Sequence, residues 1–507
     1  VPERDDLLAA IRANPDDDTP RLVFADWLDE NEPDAKLRKG ATGPSAWAAL
    51  IRAECAFARL REGDSAAGAV YDFFDEFDDQ TFKGVRWPRV LPEMARLVEL
   101  LAAAGRVRAK ARTALNALFP PNAGFWWSLQ THRGFPASVF FTRAKKPAPG
   151  RFDRLPAFDL RFGFRTRESE ALVREWVAAG LLRNVRALAL PADRDDLMPV
   201  LSVSEDTVGV RRFVVSRGSS SAGATAFVQW LTGTANWAGL RDLRFDVDEL
   251  LNNDDAARLF RSPSLRRLTR LHIPGDRNWS ARTVEGLAAF TDLRDLRLIG
   301  CGLDDAAAER LADMPGLANL RTLNLTDNNI TGVGASALLA SRHLKNLTVL
   351  DFENNPCRGL DRAALAHAPA GGLRALAVQN CRFTAADVTA LTTSPRVSEL
   401  LYFSACESLR EPLLARLVKG FGDRAPAVLY LRRNGVSTAG AEVLANWPAA
   451  ARIDMLHLQG NRLSTVGAKA LAGCPHLKHL THLCTGTTHA AGRKALMACF
   501  GRRVRVL

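Results

Sequence analysis

No run of about 18 apolar residues occurs anywhere in the sequence, so no membrane-spanning helix is expected, because crossing a bilayer core needs nearly that length. No CxxC occurs either. The eight cysteines, Cys55, Cys301, Cys357, Cys381, Cys406, Cys474, Cys484 and Cys499, are scattered through 507 residues. A disulfide framework needs a short chain with dense cysteines, so reduced thiols in a cytoplasm are expected instead. The opening residues, Val1 to Asp6, have neither a basic n-region nor an apolar h-region, which argues against a signal peptide there. Catalytic signatures are missing too. There is no GxxxxGK[ST] loop, no HExxH, no kinase or dinucleotide-binding signature and no GxSxG; the run from Gly218 to Gly223 has the wrong spacing. These absences point away from an enzyme, and no cofactor is expected.

Charge is present but unevenly spread. Residues 1–80 hold 19 Asp and Glu against 9 Lys and Arg, whereas the whole chain has a formal charge of +12. The remainder is therefore strongly basic, at +22. A basic body can attract an anionic partner or its own acidic head. A solvated basic surface is the plainer reading.

An internal repeat dominates what is there. Leu320, Leu323, Leu325, Asn328 and Ile330 fit the pattern LxxLxLxxNxL. The frame recurs at Leu293, Leu296, Leu298, Cys301, Leu303; at Leu347, Leu350, Phe352, Asn355; and at Leu373, Leu376, Val378, Cys381, Phe383. A looser copy uses Leu401, Phe403 and Cys406. Later copies use Leu429, Leu431, Asn434, Val436, then Ile453, Leu456, Leu458, Asn461, Leu463, and finally a degenerate Leu480, Leu483, Thr485, Thr488. Fainter copies run back through Leu268, Leu240, Val210, Val185 and Leu155. The turn positions of the thirteen copies are 25 to 30 residues apart.

The physics follows from strand geometry. Alternate side chains on a short LxL strand point to one side, the core. The Asn or Cys then sits where the chain turns away, able to satisfy buried backbone groups. Cys301, Cys381 and Cys406 on this ladder read as buried structural thiols. Stretches such as Thr331 to Ser341, with Val333, Ala337 and Leu338 near helical spacing, predict a helix outside each turn. The pattern, with Asn461, Leu463, Gly467 and Leu471 as NxLxxxGAxxL, resembles the ribonuclease-inhibitor and RanGAP-like subclass of leucine-rich repeats. That resemblance implies an α/β solenoid, a horseshoe of parallel inner strands and outer helices. It is clear over about 240–507 and fainter before, so residues 119–507 are assigned to a leucine-rich-repeat domain of about 13 repeats.

Residues 1–118 do not follow the repeat and predict a small all-α domain. Asp16, Asp17, Asp18, Thr19 and Pro20 form a helix start, and Leu22, Ala25 and Leu28 lie near one face of the helix that follows. The string from Thr19 to Asp34 resembles the planctomycete repeat-companion domain, a small domain preceding leucine-rich or WD40 repeats in many bacterial proteins. Ile51 to Leu60 resembles its second half and His132 to Pro136 its junction with the repeats, while Lys36 to Ser45 enlarges the usual link. The resemblance implies an architecture and no activity. Asp26, Asp29 and Glu30 beside Trp27 have the spacing of an acid or metal cluster; a solvated acidic face with Trp27 packed inward is the favoured reading.

Two further constellations carry chemistry. Cys474, His476, His479, His482, Cys484 and His489 are zinc-ligand types in one short stretch. The repeat frame puts His482 and Cys484 on a strand and His476 in the turn before it, so a polar terminal repeat is favoured and no metal is expected. The second lies on the inner strands, where residues flanking the inward leucines face the concave side. Tyr402 and Tyr430, two of only three tyrosines, are read as equivalent in adjacent repeats, with Leu400, Val428 and Met455 as an exposed apolar row and Arg432 and His457 beside them. Tyr, Met and Arg favour interfaces. The expected partner is a protein or peptide; cross-strand pairs that merely stabilise the sheet are the plainer alternative. Nucleic acid is a second candidate partner because of the basic body, although stacking aromatics are not interleaved with the basic residues. The RanGAP-like resemblance raises GTPase regulation as a third reading, but fold alone does not settle function.

Overall fold

The computed structural model describes most of residues 4–62 and 170–506, together with 68–72, most of 96–111 and strand segments within 125–162. The chain forms two compact units. The first comprises Val1–Gly68, Glu93–Leu251 and Arg261–Leu271; the second comprises Ala69–Pro92, Asn252–Phe260 and His272–Leu507.

The first unit opens with helices α1 (Arg4–Ala13), α2 (Thr19–Asn31) and α3 (Ala46–Glu62). Ile11, Phe24, Ala25, Leu28, Trp47, Leu50 and Ile51 are buried among them. Phe24 meets Trp47 edge-on at 5.1 Å, and Trp27 stacks against Phe24 at 6.0 Å. Trp27 itself is only half-buried, so it lies at the core margin and not inside. The α2 start is capped from Asp17, whose carboxylate accepts from Thr19 N at 2.8 Å. Asp18 instead pairs with Arg59 of α3 at 2.8 Å. The enlarged link is a hairpin, Asp34–Leu37 antiparallel to Ala41–Gly43.

Strands follow. Phe125–Trp127 runs antiparallel to Ser138–Phe141, and from there Phe158–Phe162, Val185–Pro191, Arg212–Ser216 and Asp242–Asp246 add in parallel, in chain order. Leu188, Phe213 and Leu243 are register partners, as the repeat frame requires.

The second unit is a leucine-rich-repeat solenoid. Asp295–Ile299, Thr322–Asn324, Val349–Asp351, Ala375–Ala377, Tyr402–Ser404, Val428–Tyr430, Met455–Leu458 and His482–Thr485 pair in parallel, each with the next. A ninth strand, Val504–Val506, pairs with His482–Thr485 beyond the last copy found in the sequence. Helices lie between the strands: Asp305–Ala312, Gly332–Ala340, Ala385–Thr393, Thr438–Ala445 and Thr465–Gly473 among them. Their first turns are capped by Asp304, Thr331, Thr384, Ser437 and Ser464. The glycine of the GA signature is a packing requirement: a Cβ on Gly334 would come 2.8 Å from Ala308 Cβ in the preceding helix. Val333 is 53% exposed on this helix, whereas Leu338 and Leu339 are buried.

The turn ladder is visible atom by atom. Asn355 Oδ1 accepts from Ile330 N at 3.0 Å, and its Nδ2 donates to Leu325 O at 2.7 Å and Phe352 O at 3.1 Å. Asn328 and Asn461 repeat this arrangement. Cys381 stands in the same place, its thiol donating to Phe352 O at 3.3 Å, while burial pushes that thiol well above its ordinary pKa. Asp327, Asn354, Asn380, Glu407 and Arg433, in successive repeats, all have positive φ near +55°. That left-handed residue makes the sharp exit from each strand, and Asn and Asp tolerate it better than other side chains.

Candidate partner-binding face

The two outward positions of each repeat strand form two rows across the second unit. Register places Thr322, Val349, Ala375, Tyr402, Val428, Met455 and His482 in the first row. Asn324, Asp351, Ala377, Ser404, Tyr430, His457 and Cys484 form the second.

This register corrects one repeat of the sequence frame. Phe403 pairs with Leu376 and Leu429, so its inward residues are Phe403 and Ala405, not Leu401 and Phe403. Tyr402 is therefore equivalent to Val428, and Tyr430 to Ser404; the two tyrosines sit in different rows. Leu400 moves to the core side, two residues before Tyr402 as Leu373 is before Ala375, and it is 5% exposed. The strand starting at Tyr402 carries few leucines, which left its phase ambiguous. Cys406 lies outside the described residues.

The tyrosines still meet, diagonally, with ring centroids 5.4 Å apart. Tyr430 stacks flat on His457, with centroids 3.9 Å apart and 8° between planes. Three rings from three adjacent strands thus form one ledge, with Arg432 exposed at its edge. The expectation of an exposed apolar row is corrected. Val428 and Met455 are fully buried, and Tyr402 is 2% exposed. Val349, Asp351, Ala375, Ala377 and Ser404 are equally enclosed. Cross-strand neighbours account for part of this, since strands lie about 4.8 Å apart. Tyr402, Ser404, Tyr430, His457, His482 and Cys484 all make further interactions as well.

Electrostatics divide the face. Asp351 is the second residue of the second row, next to Asn324, and it accepts from Glu353 N at 2.9 Å, with Asn324 Nδ2 at 3.4 Å. Burial pushes its carboxyl up to about 7, against the pull of that backbone amide and of Arg297. Arg297 is held by both oxygens of Asp295, at 3.0 and 3.1 Å. In the first unit, Asp242 accepts from Arg212 Nε and Arg244 Nε, both at 2.9 Å. Burial opposes its ionisation, but Arg212, Arg244 and Arg270 outweigh that and keep the carboxyl below its ordinary range. Much of the basic charge on these strands is thus engaged in neutralising carboxylates.

The other sequence candidates are dispersed. Asp26 and Asp29 are joined by Arg52, at 2.7 and 2.6 Å, and Asp29 also accepts from Ser45 N at 2.7 Å. They are a helix-to-helix tie, and Glu30 is exposed apart from it. Cys474 donates to Ala445 O at 2.9 Å on the helical side, whereas Cys484 pairs with His457 on the strands. Among the described residues no three His, Cys, Asp or Glu side chains are grouped to hold a metal ion. Among them too, no helix is long and apolar enough to cross a membrane.

Residues 316–339 and 456–472 match the Leucine Rich repeat family model. The chain contains leucine-rich repeats. Among solved structures, this chain is similar to an internalin from Listeria monocytogenes, with 13% identity over 76% of this chain and 95% of that one and a TM-score of 0.33. It is also similar to the tropomodulin C-terminal domain from Caenorhabditis elegans, with 14% identity over 33% of this chain and 90% of that one and a TM-score of 0.23. No curated protein matches the sequence.

Proposed function

We propose that this leucine-rich-repeat protein is a non-catalytic recognition or scaffold protein of the cytoplasm. Its partner, a protein or peptide, docks on the inner strand face around Tyr430, Arg432 and His457. The observation that carries this reading is the ledge of three rings on adjacent strands, with exposed Arg432 at its edge. Stacked aromatic residues beside an arginine are the composition of interface centres. We further read the helical head, residues 1–118, as a repeat-companion domain and the repeats, from 119 on, as the ribonuclease-inhibitor-like kind.

The test is partner capture from a native lysate on the immobilised full chain, beside a Tyr402→Ala/Tyr430→Ala version with the same helical content. A defined protein retained by the first and lost from the second supports the reading. Equal retention by both removes the face from consideration. Recovery of nucleic acid alone, released by salt, would favour the basic body as the binding surface.

A further inference from the structure

Charge on the second unit is divided along the chain. The outward residues of its early strands include Asp295 and Asp351, with Glu353 just beyond. From Val428 on the acids all but stop. Residues 428–507 hold 11 Lys and Arg against two Asp and Glu. One of the two, Glu442, lies exposed on the helix Thr438–Ala445. The other, Asp454, is 4% exposed and precedes the strand Met455–Leu458. No outward residue of the last three repeat strands (Val428, Tyr430, Met455, His457, His482 or Cys484) is a carboxylate. Exposed Lys469, Arg493 and Lys494 stand on the helices of these repeats, and exposed Arg452, Lys478 and Arg502 in the turns before their strands. Charges spread in this way raise the local concentration of anions without choosing among them.

The choice falls to the ledge. Arg432 follows Tyr430 two residues on, beyond buried Leu431, and it is exposed. Its neighbour Arg433 pairs with Glu407 at 3.1 Å, whereas Arg432 pairs with no carboxylate among the described residues. Tyr430 has a ring on each side: His457 lies flat on it at 3.9 Å from the following strand, and Tyr402 lies tilted at 5.4 Å from the preceding one. The half-buried Tyr430 therefore presents its edge and not an open ring face. A nucleic acid asks for a row of cations along its backbone and, when single-stranded, for ring faces on which bases stack. A carboxylate asks only for one planar fork of donors, which a guanidinium supplies.

We propose that the partner segment docked at this face is acidic, with an Asp or Glu carboxylate seated on the Arg432 guanidinium beside the edge of the Tyr430 ring. This rests on the partner-docking reading and adds to it the chemistry of the partner.

Selection of random displayed peptides on the immobilised full chain tests the proposal with no partner in hand. Peptides retained by the wild type are expected to be enriched in Asp and Glu over the starting library. Arg432→Glu is expected to abolish that enrichment. Lys469→Glu, the same change of charge at an exposed helix position, is expected to keep it. An unchanged unfolding transition shows that each variant is folded. By fluorescence polarisation, a labelled copy of one enriched peptide is expected to bind Arg432→Gln severalfold more weakly than the wild type. Retained peptides with no excess of Asp and Glu overturn the proposal. Equal loss in the two charge-reversal variants also overturns it, because the general field then accounts for the binding. Acid-poor peptides that are lost from Tyr430→Ala overturn the acidic partner and leave the docking face standing. Peptides held equally by Tyr430→Ala, Arg432→Glu and the wild type remove the face itself. A single-stranded oligodeoxynucleotide bound in place of acidic peptides, and lost from Arg432→Glu, assigns the surface to nucleic acid and overturns the proposal.

Discussion

The Tyr430 ring lies flat on the His457 imidazole, with centroids 3.9 Å apart. The pair is fixed by register, since Tyr430 and His457 are direct partners on neighbouring parallel strands. Parallel pairing places like positions of consecutive repeats side by side, so a repeat protein stacks whatever its sequence puts there. Tyr402 joins from the row before, tilted by 46°. The ledge thus has two origins: one in-register pair and one diagonal contact, which is within reach of aromatic side chains.

A double-mutant cycle on Tyr430→Ala and His457→Ala is therefore expected to give a coupling of about 0.5–1.5 kcal/mol, the range for paired aromatic rings. Urea unfolding of the wild type, both single variants and the double variant measures it. Strictly additive losses would mean that the rings touch without stabilising the sheet.

The turn ladder yields a second expectation. Asn355 satisfies Ile330 N and the Leu325 and Phe352 carbonyls, all buried. Asn355→Ala strands these groups, at about 1–3 kcal/mol for each buried group left unpaired. Asn355→Cys is expected to lose less, because Cys381 occupies the corresponding place one repeat on and donates to Phe352 O. Chemical denaturation of the two variants ranks them. Equal losses would show that the thiol contributes nothing there beyond its volume.

The solenoid was legible because its rule is repeated: a strand phase read at Leu323 is checked at Leu350, Leu376, Leu429 and Leu456. The phase failed where the rule is least repeated. Around Tyr402 the inward positions are Phe403 and Ala405, and Leu401 offered a false leucine one residue pair early. That slip exchanged Leu400 from core to surface and made the two tyrosines look equivalent. Burial of the inner row was not legible at all, because periodicity reports which side a residue faces and not what covers that side. In the head, the Asp26 and Asp29 spacing was visible, but their partner Arg52 is 23 residues beyond Asp29, and no local pattern connects them.

That tie is open to its own test. Arg52 spans Asp26 and Asp29 with side-chain exposures of 39%, 69% and 26%. Hydrogen bonding to Asp26, opposed by burial and aided by Asp29, raises the guanidinium above its ordinary pKa. Solvent screening limits such a pair, so Arg52→Met is expected to cost about 1 kcal/mol or less, and less still in high salt. Thermal unfolding at low and high salt measures it. A loss of several kcal/mol, unmoved by salt, would instead mean that Arg52 acts through packing of its stem against α2.

Asp351 carries the clearest dependence on pH. Its carboxyl is raised from an ordinary 3.8 to about 7 by burial. The folded chain therefore holds this proton over a window where the unfolded chain has released it. Stability from this group is full below the unfolded value, falls as pH rises between the two values, and is flat above the folded one. At 1.36 kcal/mol for each pKa unit, the whole loss is at most about 4 kcal/mol. Asp351→Asn keeps an acceptor for Glu353 N and removes the titration. The variant is expected to gain on the wild type as pH rises from about 4 to about 8. Urea unfolding of both chains across that range reads the difference directly, free of other titrating groups that the two share. A difference that stays constant with pH would mean that Asp351 is ionised in the folded state throughout, with Arg297 and the Glu353 amide outweighing its burial.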